Sequence, residues 1–321
     1  MELNKRSLEH FPVQLFAVIM GLSGLSIVFA KAYHLIDMPY WIYISMLLID
    51  TILFFVIFTT YMFKWLLYPN AVKKEFYHPI KSSFMATISI SFLLVSIAYY
   101  DFAPTVSILF WYIGTPLQLF FTLMVMRYWI ANELQVVHSN PAWFIPIVGN
   151  VLVPVVGVDA APIWVSLFFF ALGLFFWLVL FTILMYRIVF HHPLAKKLIP
   201  TLFILIAPPA IGFISYFRIT NGSIDIMSMS LYFIALFTLF LLLFMIRMFD
   251  EKEFFISWWA YTFPLTAITI ATLLIYMALG TAIAYWGSIL LILLSTLVIG
   301  FVMYRTIQEC KKEKICIAEE A

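Results

Sequence analysis

The chain has 321 residues, of which 65% are hydrophobic and only 11% are charged, and its mean hydropathy is +1.06. A soluble domain carries roughly a quarter charged residues, so this composition excludes a water-soluble protein and predicts a membrane protein. The net charge of +2 gives no indication of a nucleic-acid partner. Two cysteines, Cys310 and Cys316, lie in the charged C-terminal tail and predict neither a disulfide framework nor a thiolate metal site.

Long apolar runs predict ten transmembrane helices, because a span needs about 20 apolar residues and lipid offers no partner for an unpaired backbone group. The runs cover residues 12–32, 41–66, 82–100, 104–129, 141–158, 161–189, 197–217, 226–248, 256–279 and 282–305. We therefore expect one transmembrane domain over residues 1–321, with a short N-terminal segment at 1–11 and a charged tail at 306–321. The first run ends near Val28-Phe29-Ala30, which faintly resembles a signal cleavage site, but it is long for a signal peptide and we expect it to be retained as a span.

The distribution of lysine and arginine predicts the orientation of the spans. Sixteen of the eighteen basic residues fall at the two termini, in the connections after the even spans or at the span ends next to these connections. Lys31 and Arg218 are the two exceptions, and the connections on their side carry several aspartates. Because basic residues accumulate on the cytoplasmic side, we expect both termini to be cytoplasmic and the protein to reside in the cell membrane (inner or plasma membrane).

Odd and even spans differ in composition. The odd spans hold most of the interior prolines and many small or hydroxyl-bearing residues, whereas the even spans are rich in Phe, Leu and Ile. Broken helices expose backbone groups that are tolerated only against protein or a water-filled path, so we expect the odd spans to line a central pore and the even spans to face lipid. Taken singly, Pro and Gly are also common in membrane helices and at close helix contacts. The candidate pore-lining residues are Gly21, Gly24, Ser89, Gly149, Pro154, Pro208, Gly212, Thr262 and Thr266.

The cores of the odd spans contain no charged residue or histidine, which disfavours a proton relay or a cation transporter. A neutral path lined by hydroxyls and exposed amides favours anions weakly. Lys31 and Arg218 either collect anions at the outer mouth or extend to the interface like other basic residues. Asp50, inside the second span, is either functional or a hydrogen-bonded structural residue.

No catalytic, metal-binding or cofactor-binding pattern stands out in the sequence. His191-His192 is a weak candidate for a metal site, and we find no glycine-rich phosphate loop, metalloprotease motif or nucleophile elbow. We therefore expect neither an enzyme nor a bound metal or cofactor, and we take membrane lipid and small anions as the partners.

The ninth run carries the most specific motif, Trp258-Trp259-Ala260-Tyr261-Thr262-Phe263-Pro264-Leu265-Thr266. This nonamer resembles the signature of the tellurite-resistance/dicarboxylate transporter family, which includes the bacterial TehA proteins and the slow-type anion channels of plant guard cells. Weaker matches are spread in the expected order over most of the chain; they are Tyr77-His78-Pro79, Gly114 with Gln118-Leu119, Asn140-Pro141 with Pro146, and Ala207-Pro208 with Ser215-Tyr216.

The resemblance implies five helical hairpins with quasi-five-fold symmetry around a central pore, assembled as a homotrimer with one pore per protomer. In that family a phenylalanine of the ninth helix closes the pore, and by motif position this residue is Phe263. Pro264 follows it directly, where we expect the helix to bend. An aromatic ring in a narrow neutral passage is a plausible dewetting plug.

The sequence leaves two functions open. The first is an anion channel that passes small monovalent anions such as chloride and nitrate through a neutral pore gated by Phe263. The alternative is a secondary transporter or exporter of dicarboxylate, sulfite or tellurite-like oxyanions. A coupled transporter would need a substrate-binding station, ideally a basic residue near the midplane, and the odd spans provide none.

Overall fold

The computed structural model describes residues 7–250 and 253–317. Within those ranges it has no strand and has ten helices long and apolar enough to cross a membrane. We number these spans in chain order: Val13–Ile36, Tyr40–Leu67, Lys81–Tyr99, Pro104–Ala131, Pro141–Ala160, Ile163–Phe190, Lys196–Ile219, Ile226–Phe244, Ile256–Leu279 and Ala282–Lys311. The predicted number and order of the spans are confirmed.

Burial separates the spans into two layers. In the most apolar part of each odd span, 78 to 89% of the residues are buried inside the protein, against 28 to 39% in each even span. The exposed residues of the even spans are large and apolar, as Phe168, Phe175 and Leu290 illustrate, and such side chains suit the hydrocarbon of a bilayer. The predicted placement of the odd spans inside and the even spans outside is confirmed.

The five odd spans form a closed ring. The first span packs against the third, the third against the fifth, the fifth against the seventh and the seventh against the ninth, and the ninth returns to the first. Each even span packs against the odd span of its own hairpin. The ring therefore encloses a single axis, with one face of each odd span directed towards it.

The chain ends and the longer connections share one face of the molecule. The backbone N–H of Ser7 donates to the carbonyl oxygen of Cys316 at 3.1 Å, which joins the two ends of the described chain. We call this side the terminal face and the opposite side, where the short connections within the hairpins lie, the hairpin face. On the terminal face the tenth helix continues through Lys311, beyond residue 305, where the apolar run of the sequence ends.

Four of the odd spans begin, on the terminal face, with a 3₁₀ segment that leads directly into an α-helix. These segments are Val13–Leu15, Pro141–Trp143, Lys196–Ile206 and Ile256–Tyr261. The third span instead begins with a single helical turn, Lys81–Phe84, followed by a break before Thr87–Tyr99. The odd spans are thus irregular at their terminal-face ends rather than at mid-depth.

This irregularity changes the interpretation of the prolines. Pro208 and Pro209 lie in the first turn of the α-helix Ala207–Ile219, and Pro264 lies in the first turn of Thr262–Leu279. A first turn has N–H groups without intrahelical acceptors, so a proline there removes little. Pro154, by contrast, lies inside the α-helix Phe144–Ala160.

Candidate pore

Threonines of the ninth span fit against glycines of the first span. A Cβ atom added to Gly21 would overlap the hydroxyl of Thr262, and one added to Gly24 would overlap the hydroxyl of Thr266. Both hydroxyls donate to carbonyls of their own helix, Thr262 to Trp259 at 2.7 Å and Thr266 to Phe263 at 2.9 Å. The absence of side chains at the two glycines therefore sets how closely the ninth span approaches the first.

Two cavities lie within the ring of odd spans. The larger opens toward the terminal face and has a volume of about 970 Å³. The smaller lies toward the hairpin face and has a volume of about 360 Å³. Phe263 and Leu152 line both cavities, and both side chains are buried. The two cavities therefore meet at this pair of residues.

Each odd span contributes a stripe of lining residues, and the five stripes share one register. Starting from the terminal face, the lining positions are spaced by three, four, three and four residues, which is one face of an α-helix. The five stripes are Ala17, Met20, Gly24, Ile27 and Lys31; Thr87, Ile90, Leu94, Ile97 and Asp101; Ile145, Val148, Leu152, Val155 and Asp159; Ile204, Ala207, Ile211, Ile214 and Arg218; and Ala260, Phe263, Ala267, Ile270 and Leu274. Of these, all but Asp159 and Ala267 line a cavity.

This register divides the stripes into levels. The first two positions of each stripe line the terminal-side cavity, and lining positions after the second belong to the hairpin-side cavity, with Phe263 and Leu152 shared. The junction therefore lies between the second level (Met20, Ile90, Val148, Ala207, Phe263) and the third level (Gly24, Leu94, Leu152, Ile211, Ala267). At these two levels the aromatic ring of Phe263 is the largest side chain.

The terminal-side cavity widens into a basic mouth. Among the residues that the structure describes, five basic side chains and two acidic ones line it, which are Lys81, Lys197, Arg305, Lys312, Lys314, Glu253 and Glu309. Lys312 and Lys314 converge on Glu309, with nitrogen–oxygen distances of 2.7 and 4.0 Å. The mouth on this face therefore carries an excess of positive charge.

Lys31 and Arg218, the two candidates for the outer mouth, line the hairpin-side cavity. Each is paired with an aspartate: Lys31 Nζ lies 3.2 Å from Asp101 Oδ2, and Arg218 contacts Asp159. Arg218 also donates to the hydroxyl of Tyr100 at 3.0 Å. Burial and the hydrogen bond that Tyr100 donates to Asp159 raise the pKa of the Tyr100 hydroxyl above its ordinary value.

The other predicted lining residues divide into two groups. Gly24 and Gly149 line a cavity, as does Pro264, which was predicted as the kink of the ninth helix. Seven lie off both cavities, which are Gly21, Ser89, Pro154, Pro208, Gly212, Thr262 and Thr266. Their hydroxyls and small surfaces serve helix contacts instead: Ser89 donates to Gln118 Oε1 at 2.7 Å, and Gly212 packs against Leu231 of the eighth span. The lining at mid-depth is therefore apolar rather than hydroxylic.

Gln118 of the fourth span extends into the ring behind Gly149. Its side-chain amide donates to the carbonyl of Pro146 at 2.9 Å, and a Cβ on Gly149 would lie 2.5 Å from Gln118 Nε2. Thr122 and Asn150 donate to the same Pro146 carbonyl. This buried network fixes the fifth span, including its lining face, against the outer layer.

Asp50 faces the first span rather than the cavities. It is fully buried and accepts a hydrogen bond from Ser23 at 2.7 Å, which places it between the first two spans. His191 and His192 are exposed, and the carbonyl of His192 accepts from Arg187 at 2.7 Å. In the described part of the chain, no group of three or more His, Cys, Asp or Glu residues could hold a metal ion.

Leu152 lies where the two cavities meet, but it was not among the residues that the sequence predicted to line the pore. It is one aliphatic residue in a long apolar run, and nothing in its type distinguishes it from its neighbours. It lies three residues after Gly149 and four after Val148, and both of these line the terminal-side cavity. Helical spacing from Gly149, itself a predicted lining residue, is therefore the one signal that points to Leu152.

A family model described as voltage-dependent anion channel, SLAC1, matches residues 10–307. The chain belongs to this voltage-dependent anion channel family. The match covers all ten spans apart from the last residues of the tenth, so the family fold comprises both the ring of odd spans and the outer layer.

Similar members of the anion channel family come from plants and bacteria. The chain is 29% identical to the S-type anion channel SLAH3 of Arabidopsis thaliana over 94% of its own length and 48% of the relative's. It is 31% identical to the S-type anion channel SLAH2 of the same plant over 83% of its length and 53% of the relative's. The chain thus spans about half the length of these plant relatives. The tellurite resistance protein TehA homolog of Haemophilus influenzae is 23% identical over 94% of this chain and 91% of the relative.

Proposed function

We propose that this protein is an anion channel in which small monovalent anions, such as chloride and nitrate, pass between the two cavities. The observation that carries the proposal is the position of Phe263, whose ring lies where the terminal-side and hairpin-side cavities meet. In this proposal Phe263 closes the passage. Pro264, at the junction of the 3₁₀ segment and the α-helix, holds Phe263 at that level.

The chemistry of the lining supports passage rather than coupled transport. At the second, third and fourth levels of the five stripes every residue is uncharged, and charged residues lie only at the two mouths. An apolar constriction closes by dewetting and opens when the occluding side chain moves away. It offers no fixed charge that would hold a substrate during a transport cycle.

Three further features belong to the same proposal. The equal spacing of the five lining stripes supports quasi-five-fold symmetry around the axis. The excess of basic residues on the terminal face supports a cytoplasmic location for both chain ends in a cell membrane (inner or plasma membrane). We also propose a homotrimer with one path per protomer, on the resemblance described above.

Replacing Phe263 tests the proposal directly. Phe263→Ala removes the ring that separates the cavities, so we expect a steady chloride and nitrate conductance where the parent protein is nearly silent, measured in whole-cell recordings or liposome flux. Phe217→Ala is the matched control, because Phe217 is a buried phenylalanine that lines only the hairpin-side cavity. If the Phe263→Ala protein reaches the membrane but conducts no more anion than the Phe217→Ala protein, Phe263 is not the gate.

The reversal potential distinguishes the channel from a coupled oxyanion transporter. The name of the Haemophilus relative, a tellurite resistance protein, keeps this second function open. The current of a channel reverses at the equilibrium potential of the anion at every pH. A reversal potential that moves with a proton gradient at constant anion gradient would favour the coupled transporter.

A further inference from the structure

Charged residues occupy the same level in four of the five odd spans. At the fifth position of the lining register, next to the hairpin face, the stripes carry Lys31, Asp101, Asp159, Arg218 and Leu274. Two basic and two acidic residues therefore share one ring around the mouth of the hairpin-side cavity. We call these four charged residues the mouth ring.

The first pair of the mouth ring joins neighbouring spans. Lys31, on the first span, donates to Asp101, in the turn that follows the third span, at 3.2 Å. His34 Nε2 lies 3.7 Å from the same Asp101 oxygen. Lys31, His34 and Asp101 all line the hairpin-side cavity. Asp101 is therefore the acidic centre of a site with one permanent positive charge and one histidine that is charged only when protonated.

The second pair joins the fifth and seventh spans and is connected to the first. Arg218 contacts Asp159 and donates through Nε to the carbonyl of Val155 at 3.0 Å. The hydroxyl of Tyr100 donates to Asp159 at 2.8 Å, and the guanidinium carbon lies 5.1 Å from the centroid of the Tyr100 ring. Tyr100 precedes Asp101 in the chain, so the turn after the third span contacts both pairs through neighbouring residues.

The formal charges of the mouth ring cancel, although the basic residues alone would attract anions. The side chains of the four residues are between 21 and 50% exposed, so their charges act on ions that enter the cavity and are screened by salt. We propose that Asp101 and Asp159 determine anion access from the hairpin face by neutralising Lys31 and Arg218, so that removing either carboxylate raises the anion concentration in the hairpin-side cavity. The proposal rests on the proposed anion pathway, but its electrostatic part can be measured without any current.

The modification rate of a single cysteine reports the potential in the cavity. Met277 lines the hairpin-side cavity and is half exposed, so Met277→Cys in a Cys310→Ser/Cys316→Ser background places one thiol there. Its rate is measured from the hairpin face with an anionic sulfonate methanethiosulfonate reagent and with its cationic trimethylammonium counterpart. The ratio of the anionic to the cationic rate removes differences in steric access.

We expect Asp101→Asn and Asp159→Asn each to raise the ratio of the anionic to the cationic rate about fourfold at an ionic strength of about 0.01 M, where the Debye length is about 30 Å. At about 1 M the same substitutions should have almost no effect on this ratio. Lys31→Gln should lower the ratio, and Lys31→Gln/Asp101→Asn should return it to the parent value. Asp37→Asn is the matched control, because Asp37 is exposed on the same face and lies off the cavity; Asp159 also lies off the cavity but contacts Arg218, which lines it. Asp37 has a left-handed φ of 56°, which asparagine also adopts readily.

Two results would overturn the proposal. One is an Asp101→Asn ratio equal to that of Asp37→Asn at low salt. The other is an effect that is undiminished at high salt, which would indicate a structural change rather than an electrostatic one.

A current measurement separates this proposal from the proposed function. In the Phe263→Ala background, Asp101→Asn should raise chloride flux from the hairpin face about twofold at low salt and leave flux at high salt unchanged. If the cysteine ratios shift as expected while Phe263→Ala carries no anion current, the mouth ring sets the potential but the channel function is wrong. If Phe263→Ala conducts and neither the ratios nor the flux respond to the aspartates, the mouth ring has no role in access.

Discussion

Gly24 has no side chain, and this affects both the packing of the first span against the ninth and the lining of the hairpin-side cavity. It lines the hairpin-side cavity, and it also receives the hydroxyl of Thr266, three residues after Phe263. A larger residue at position 24 would displace the ninth span and, with it, the ring that lies between the cavities. The sequence predicted both Gly24 and Thr266 as lining residues. In the structure Gly24 lines the hairpin-side cavity, whereas Thr266 packs against Gly24 and lies off both cavities.

Gly24→Ala tests this contact. The added methyl group overlaps Thr266, so we expect a loss of stability of about 1–3 kcal/mol, measured as a lower unfolding temperature of the purified protein in detergent. Gly300→Ala is the control, because a Cβ at Gly300 in the tenth span meets nothing within 4 Å; it should be neutral or stabilise by up to about 1 kcal/mol. Gly24→Ala/Thr266→Ala should recover most of the loss, and the contact is not responsible if it does not.

At the scale of single residues, the sequence identified chemically unusual positions better than ordinary ones. Phe263 was indicated by its motif, and Lys31 and Arg218 by their charge on a side otherwise poor in basic residues. Leu152 was not predicted as a lining residue, because in an all-apolar span the type of an aliphatic residue does not show which side of the helix it occupies. The pairing of Lys31 and Arg218 with Asp101 and Asp159 also required coordinates, since these partners come from different hairpins.

At the scale of elements, a buried ion pair attaches the short helix Pro69–Phe76 to the second span. Lys64 Nζ lies 2.8 Å from Glu75 Oε1 and donates to the carbonyl of Phe11 at 2.8 Å. The hydroxyl of Tyr61 donates to the other carboxylate oxygen of Glu75 at 2.8 Å. The pair therefore joins the N-terminal segment, the second span and the helix that leads to the third span.

Removing one partner of this pair should cost more than removing both charges. Lys64→Met leaves the carboxylate of Glu75 buried without a counter-charge, and we expect a loss of about 3–5 kcal/mol, measured by thermal or denaturant unfolding. Lys64→Met/Glu75→Gln should be clearly more stable than Lys64→Met, because no buried charge remains. Lys74→Met, at an exposed position of the same short helix, should change stability by less than about 0.5 kcal/mol. Equal losses in the single and double variants would contradict this account.

The spans themselves were predictable because lipid imposes a simple requirement. Length and hydropathy predicted their number and order, and the uneven distribution of Pro and Gly predicted which layer is inside. The lining register was not predictable. The odd spans are apolar on every side, because one side faces the path and the other sides face protein, so the sequence carries no amphipathic signal. The position of the irregular segments at the terminal-face ends also had no signal, since a proline in a first turn and a proline at mid-helix look alike in sequence.

At the scale of the whole molecule, the two mouths of the path differ in charge. In the described parts of the chain, the terminal-side mouth has five basic and two acidic lining residues, whereas the mouth ring on the hairpin face has two of each. If anions pass between the cavities, they concentrate more strongly at the terminal face, so conductance should be asymmetric at equal anion concentrations.

Lys197→Gln tests this asymmetry. Lys197 is exposed and lines the terminal-side cavity, so in the Phe263→Ala background we expect its neutralisation to lower anion flux from the terminal face about twofold at low ionic strength. Flux from the hairpin face should change less. Lys73→Gln removes a charge from an exposed position of the same face that lies off the cavity, and it should leave both fluxes as they are. A symmetric loss in the Lys197→Gln protein would speak against the asymmetry.

Because the five lining stripes share one register, a large side chain at the second level of another odd span would lie at the same depth as Phe263. If Phe263 closes the path as proposed, what matters is the bulk of the side chain at the second level, irrespective of which helix supplies it. Ala207 occupies that level on the seventh span, directly beside the ninth. An aromatic ring moved from position 263 to position 207 should therefore reseal an opened protein, although the family motif that identifies the plug would then be lost from the sequence.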